Sequence, residues 1–156
     1  MLKIGDALPS FAALNQDQAI ISSEQLKGNW VVLYFYPKDN TPGCTQQACD
    51  FRDSIDRLKA LGCAVFGVSK DSPKSHVNFI SKYAFPFDLL SDPDGKLCEL
   101  FNVWVEKSMY GKKYFGIERS TFLIAPNGNI DHIWRKVSVK GHVAEVLKIL
   151  ESKLDS

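Results

Sequence analysis

The apolar residues of this chain fall into short runs and helical stripes, separated by turn residues. Trp30-Val-Val-Leu-Tyr-Phe-Tyr36 is β-branched and aromatic and stops at Pro37, which predicts a buried strand. Beyond a tight turn, Cys44, Ala48, Phe51, Ile55 and Leu58 recur at alternating steps of four and three. One helix is expected there, from Cys44 to about Leu61, ended by Gly62. Thr41 is its N-cap by residue type, and Pro42 then takes the first helical position, where a missing N–H costs nothing. Cys63-Ala-Val-Phe-Gly-Val-Ser69 reads as the next buried strand. Pro73 opens a second helix to about Tyr83, with Val77, Ile80 and Tyr83 on one face. A short segment, Phe87-Asp-Leu-Leu90, leads to the turn Asp92-Pro-Asp-Gly95 and a helix around Lys96–Phe101. Ser120-Thr-Phe-Leu-Ile-Ala125 and Ile130-Asp-His-Ile-Trp134 flank Pro126-Asn-Gly-Asn129, the pattern of a β-hairpin. The last helix is expected from about Gly141 to Leu154, with Val143, Val146, Leu147, Ile149 and Leu150 facing inward. Residues 1–29 read as an irregular opening segment with a small hairpin around Asn15-Gln-Asp-Gln18.

Early strand–helix–strand units give parallel pairing, and a late hairpin adds antiparallel strands to the same sheet. The order therefore predicts an α/β fold of thioredoxin-like type: a central mixed sheet with helices on both faces, extended by an N-terminal β-hairpin. At 156 residues, 45% hydrophobic and 24% charged, the chain fits one domain over 1–156 with a substantial core. No internal repeat, low-complexity run or linker divides it. Nineteen basic and 18 acidic residues nearly cancel, which gives no reason to expect nucleic acid or an anionic membrane as partner. No stretch is apolar enough to span a bilayer, and the first residues lack a signal-peptide core, so the cytoplasm is the expected compartment. In that reducing setting, four cysteines suggest catalysis or metal binding rather than structural disulfides.

Cys44 stands out because it falls third in its helix, within the turn whose N–H groups lack helical partners. Thiolate is the reactive form of cysteine, and a helix N-terminus favours negative charge. That effect alone is too small. It contributes about 0.3–1 kcal/mol, up to roughly 2 when partly buried, so it lowers a thiol from about 8.5 by roughly one unit. One full positive charge at about 4 Å supplies about 4 kcal/mol at an effective dielectric of 20, before desolvation. A basic residue from elsewhere in the chain is therefore required.

Pro37-x-x-x-Thr41-x-x-Cys44 is similar to the peroxidatic motif of the peroxiredoxins. The surrounding Tyr36-Pro-Lys-Asp-Asn-Thr-Pro-Gly-Cys-Thr45 and Ala48-Cys49-x-Phe-Arg-Asp53 resemble the bacterioferritin comigratory protein, or Q-type, subfamily. Further matches run through Gly67-Val-Ser69, Leu90-Ser-Asp92, Val103–Lys112 and Gly116–Ile124, so the resemblance spans essentially the whole chain. It implies a thioredoxin-fold thiol peroxidase acting on hydrogen peroxide and organic hydroperoxides without metal or organic cofactor, reduced by thioredoxin or glutaredoxin. Cys44 would be the peroxidatic nucleophile, passing through a sulfenic acid. Cys49 would resolve it as an intramolecular disulfide, and a resolving thiol on the same chain implies a working monomer. Thr41 would hydrogen-bond the thiolate and the peroxide, Pro37 would shield the sulfur, and Gly43 would help to form the pocket. Arg119 matches the family's arginine and is the cation that the charge arithmetic requires.

Some members of that subfamily carry the resolving cysteine in the helix after the second strand, but Pro73–Tyr83 contains none. Many carry an acidic residue at the position of Gln47, where the carboxylate orients the arginine. Gln47 can accept one hydrogen bond through its carbonyl oxygen but supplies no charge. Cys63 opens a buried strand and Cys98 lies between Leu97 and Leu100, so both are expected in the core. A thioredoxin-type oxidoreductase would want C-x-x-C, and the residue three after Cys44 is Gln47. A metal or copper module would pair cysteines with a histidine. His76, His132 and His142 are the candidates, and none lies in a motif for such a site or for a cysteine–histidine hydrolase.

Overall fold

A computed structural model describes residues 1–155 of the chain. The run at 30–36 becomes β3 (Trp30–Phe35), an interior strand of a seven-stranded sheet. Its neighbours are β4 (Cys63–Ser69), parallel, and β8 (Ser120–Ile124), antiparallel. Beyond β4 lies β5 (Asp88–Ser91), also parallel, and beyond β8 lies β9 (Ile130–Trp134), antiparallel. The expected N-terminal hairpin is β1 (Ala12–Leu14) and β2 (Ile20–Ser22). It is more than an appendage, because Leu14 pairs with Ser91 and so extends the sheet past β5.

Successive side chains of a strand point to opposite faces, and β3 is apolar on both. Val32, Tyr34 and the following Tyr36 face one core cluster, and Val31, Leu33 and Phe35 face the other. The first cluster is covered by α2 (Pro42–Asp53), α3 (Ile55–Ala60), α4 (Pro73–Tyr83) and α6 (His142–Leu154). The second is covered by a short α1 (Ser23–Leu26) and α5 (Lys96–Leu100). This is the thioredoxin-like arrangement that the element order predicts.

Three details depart from the expectation. The helix after the turn is two helices: at Ser54 the chain leaves helical geometry (φ −104°, ψ 5°), and its N–H bonds back only three residues, to Phe51 O. Asp53-Ser54 and Asp56 are residues that compete with a helix interior by bonding to nearby backbone, which favours a cap at this point. The apolar stripe survives the break, since Cys44, Ala48, Phe51 and Leu58 are buried and Ile55 packs against them. On α4 Ile80 and Tyr83 pack against the core as expected, but Val77 is exposed and His76 and Phe79 are the fully buried residues, so the inward face is centred toward His76 and Phe79. Polar partners for the His76 ring, described below, hold that orientation.

The third is a hairpin that periodicity did not expose, β6 (Trp104–Met109) and β7 (Lys112–Ile117), forming its own two-stranded sheet. Tyr110 and Gly111 both have positive φ (52° and 77°), the signature of a two-residue turn of the primed type. Cys63 and Cys98 are buried, as expected for core residues.

Gly67 in β4 lies under the Tyr34 ring. A Cβ there would stand 2.7 Å from Leu89 Cδ2 and 2.8 Å from Tyr34 Cζ. Gly67→Ala should therefore lower stability by about 1–3 kcal/mol through overpacking. Urea unfolding should show this as a lower midpoint with an unchanged slope.

Candidate active site

Backbone rules place the sulfur. Thr41 sits at the N-cap with extended backbone (φ −100°, ψ 156°), Pro42 follows at the first helical position, and Cys44 comes third. The first amide to bond back is Thr45 N–H, to Thr41 O at 2.8 Å, which leaves the preceding amides of the turn without helical partners. Cys44 is only 2% exposed at the base of this turn. The Thr41 hydroxyl does not cap the helix; it turns back and donates to Lys38 O at 2.8 Å. Pro37 lies just past β3 and is exposed.

Arg119 occupies the two-residue link between β7 and β8. Antiparallel pairing of β3 with β8 ends at Phe35–Ser120, so Arg119 arrives beside the start of the reactive loop. Its Nη2 lies 3.4 Å from Cys44 Sγ, and its Nη1 donates to Gln47 Oε1 at 2.7 Å. The amide thus anchors the guanidinium without cancelling its charge. Gln47 is wholly buried and its Nε2 has no hydrogen-bond partner, a cost accepted inside the site. Gly43 is small for a spatial reason: a Cβ there would stand 3.2 Å from Arg119 Nη2.

The other three thiols lack such a cation contact and are pushed up. Burial raises Cys63 to about 12. Burial, then Asp92, raises Cys98. Burial raises Cys49, with Arg52 pulling the other way. Cys49 is half-buried on α2, five residues after Cys44, and none of the four cysteines is in a disulfide.

Several neighbours of the site are residues that the sequence reading did not single out as site residues. Tyr34 is buried with an unpartnered hydroxyl, and burial followed by the Cys44 charge pushes its phenol up. Lys107 on β6 is lowered by burial and then by Arg119. Its place is set by the β6–β7 hairpin, which the hydrophobic pattern did not reveal. His142, at the start of α6, has Nε2 2.8 Å from Thr121 Oγ1. Among the described residues no group of three His, Cys, Asp or Glu side chains converges as a metal site, and no helix is long and apolar enough to cross a membrane.

Comparison with known proteins agrees with this geometry. The AhpC/TSA family model matches residues 4–133. A putative peroxiredoxin Bcp of Coxiella burnetii is 51% identical over 146 residues, covering 94% of this chain and 97% of that protein. The peroxiredoxin Bcp of Bacillus subtilis is 47% identical over 150 residues, covering 96% of each. Among solved structures, a PrxQ variant of Xylella fastidiosa superposes with a TM-score of 0.94 at 40% identity, over 99% of this chain and 98% of that one. The bacterioferritin comigratory protein of Xanthomonas campestris, described for its alkyl peroxide reduction activity, gives 0.89 at 42% identity, over 95% and 99%. The chain belongs to the AhpC/TSA family, within its Bcp or PrxQ peroxiredoxins, and is a thiol-dependent peroxidase.

Two outcomes follow from the charges in the site. A hydrogen bond to a charged group contributes about 1.5–3 kcal/mol. Arg119→Ala should therefore slow alkylation of Cys44 by iodoacetamide at pH 7 by about tenfold or more, read by residue-resolved mass spectrometry. An unchanged rate would show that Arg119 does not activate the thiol.

The second outcome concerns His142, whose ring is lowered from 6.5 to about 4 by burial and then by the Arg119 charge. Above pH 6.5 the ring is neutral in both the folded and unfolded states. Between 6.5 and about 4 the unfolded chain binds a proton that the folded chain refuses, so stability falls as pH falls across that window. His142→Gln should flatten this part of the urea-midpoint profile.

Proposed function

We propose that Cys44 is the peroxidatic nucleophile and Cys49 the resolving thiol of a single-chain catalytic cycle. The observation that carries this reading is the contact between Arg119 Nη2 and Cys44 Sγ at the helix N-terminus. Helix and guanidinium together supply what neither the turn nor a solvated thiol could. The Cys44 thiolate attacks one peroxide oxygen, the O–O bond breaks, and the departing hydroxide or alkoxide takes a proton to leave as water or alcohol. Cys44 is left as a sulfenic acid.

Arg119 steadies the charge that develops on the peroxide oxygens, in the manner of preorganised donors. The Thr41 hydroxyl commits its proton to Lys38 O, which leaves its lone pairs to accept from the peroxide O–H. Pro37 and Gly43 shape the approach, the first as a rigid end to β3 and the second by leaving room for the guanidinium. The Cys49 thiol then condenses with the sulfenic acid, a disulfide forms, and water leaves. A dithiol reductant of thioredoxin type, or glutaredoxin, restores both thiols by exchange. Hydrogen peroxide and organic hydroperoxides are the substrates of this reading, and a cytoplasmic monomer of one domain is its setting.

The disulfide requires movement. Both cysteines lie on α2, and residues five apart in an intact helix have Cα atoms about 8.6 Å apart. A disulfide spans at most about 6.8 Å. The first turns must therefore unwind after oxidation, while Phe51 keeps the rest docked. Cys44→Ser should abolish single-turnover peroxide reduction. In the unmodified protein, one equivalent of hydrogen peroxide should raise amide exchange across residues 45–50. Equal protection before and after would exclude both the unwinding and the Cys44–Cys49 pairing. Gel filtration and non-reducing electrophoresis check the monomer: an intermolecular disulfide would place the resolving thiol on another subunit.

A further inference from the structure

The loop that leads from β3 to Cys44 has little apolar anchorage. Pro37, Lys38 and Asn40 are exposed, Thr41 is half-buried, and Asp39 is the one buried side chain among residues 37–41. Its carboxylate is enclosed by three donors. Oδ1 accepts from the Tyr36 hydroxyl at 2.6 Å. Oδ2 accepts from the Ser75 hydroxyl at 2.8 Å and faces His76 Nδ1 at 2.7 Å. The backbone N–H of Asp39 donates to Asp71 Oδ2 at 2.8 Å, and Ser69 Oγ donates to the same oxygen at 2.7 Å.

The His76 ring is wholly buried, with Nε2 3.0 Å from Leu90 O. A carbonyl can only accept, so Nε2 carries a hydrogen. Nδ1 then meets a carboxylate oxygen, and one proton must lie between the two. Burial and the adjacent Asp39 push the Tyr36 phenol up, which keeps it a donor. Beside this clamp Asn40 holds a left-handed backbone (φ +58°), a conformation that persists in a non-glycine residue when its surroundings impose it.

None of these groups takes part in the proposed chemistry, and the hydrogen bond to Cys44 Sγ comes from Arg119. An acidic group buried at such cost is weak support for stability as such, and is better accounted for by specifying one geometry. The groups that hold Asp39 come from just past the ends of β3 and β4 and from the first turn of α4, whose His76 is in turn fixed to Leu90 O of β5. All are rigid parts of the fold, and the residue they hold lies two positions before Thr41 and five before Cys44. We propose that Asp39 and His76 are positioning residues, a buried clamp that fixes the Pro37–Thr41 loop so that Thr41 and the first turn of α2 meet the peroxide in reactive register. This inference rests on the assignment of Cys44 as peroxidatic nucleophile. A misplacement of about 1 Å at a reacting centre can cost about a hundredfold in rate.

The test separates positioning from thiol activation and from folding. Asp39→Ala, His76→Ala and Asp39→Asn are compared with the unmodified protein in two reactions. One is the second-order oxidation of Cys44 by hydrogen peroxide, which needs the shaped pocket. The other is alkylation by iodoacetamide, which needs only an accessible thiolate. Asn keeps the geometry without the charge: Oδ1 accepts from Tyr36, and Nδ2 donates to the Nδ1 of a neutral His76. Both alanine variants should lose about tenfold or more against peroxide with alkylation within about twofold, and Asp39→Asn should recover most of the loss.

Peroxide rates equal to the unmodified protein in the alanine variants would overturn the proposal. So would a parallel fall in both reactions, which marks general disruption, or an asparagine variant as slow as alanine. If Asp39→Ala does not fold, His76→Ala and Asp39→Asn decide by the same ratio. An unmodified protein whose Cys44 is inert to peroxide would instead overturn the assignment of the nucleophile, and this inference with it.

Discussion

The contact between one guanidinium and one sulfur sets the terms for the rest of this molecule. Arg119 and Cys44 are 75 residues apart in sequence and 3.4 Å apart in space. A helix terminus and an arginine each favour negative charge only weakly on their own, and the fold delivers both to one sulfur. It does so with its stiffest parts. β3 ends where the reactive loop begins, β8 begins where Arg119 ends, and their antiparallel ladder aligns the two to within a residue. Gln47 and Gly43 complete the arrangement from the helix side, one by accepting from the guanidinium and the other by making room for it.

Around that point the molecule separates rigidity from mobility. The sheet is apolar on both faces and covered on both, and its aromatic layer runs continuously under the site: Tyr34 stacks on Phe51 at 4.7 Å, and Phe85 on Phe87 at 5.6 Å. The reactive turn sits above this layer and is held mostly by polar contacts. Polar contacts can be exchanged for others, or for water, at small net cost, whereas the packed layer cannot open locally without exposing apolar surface. The chemistry is thus placed at the edge of what the core can hold still.

Much of this was legible in the chain because the signals were local. Six consecutive apolar residues, mostly β-branched or aromatic, marked β3, Thr-Pro marked the start of α2, and Pro73 marked α4. The residues that resemble the peroxiredoxins imply a shared site for Cys44 and Arg119, and the fold brings the two together. What stayed hidden depends on contacts between distant residues. Ser54 reads as an ordinary helix position until its N–H is seen to bond to Phe51 O. His76 reads as polar surface, and the expected inward face of α4 included Val77, because nothing in the sequence shows an aspartate waiting across the fold. β6 and β7 mix lysines with exposed aromatics, so alternation was masked and only the Tyr-Gly turn hinted at a hairpin.

The break at Ser54 gives the helical arm two cooperative units in place of one. A continuous helix from Pro42 to Ala60 would share its hydrogen-bond ladder along its whole length, and fraying from the front would weaken every turn behind it. With the ladder interrupted, α3 restarts on its own bond from Leu58 N–H to Ser54 O, with Leu58 buried in the core. Loss of order can then travel from Cys44 only as far as Asp53. On the proposed cycle the serine would work as a firebreak, confining the unwinding to α2 and leaving the remaining scaffold in place.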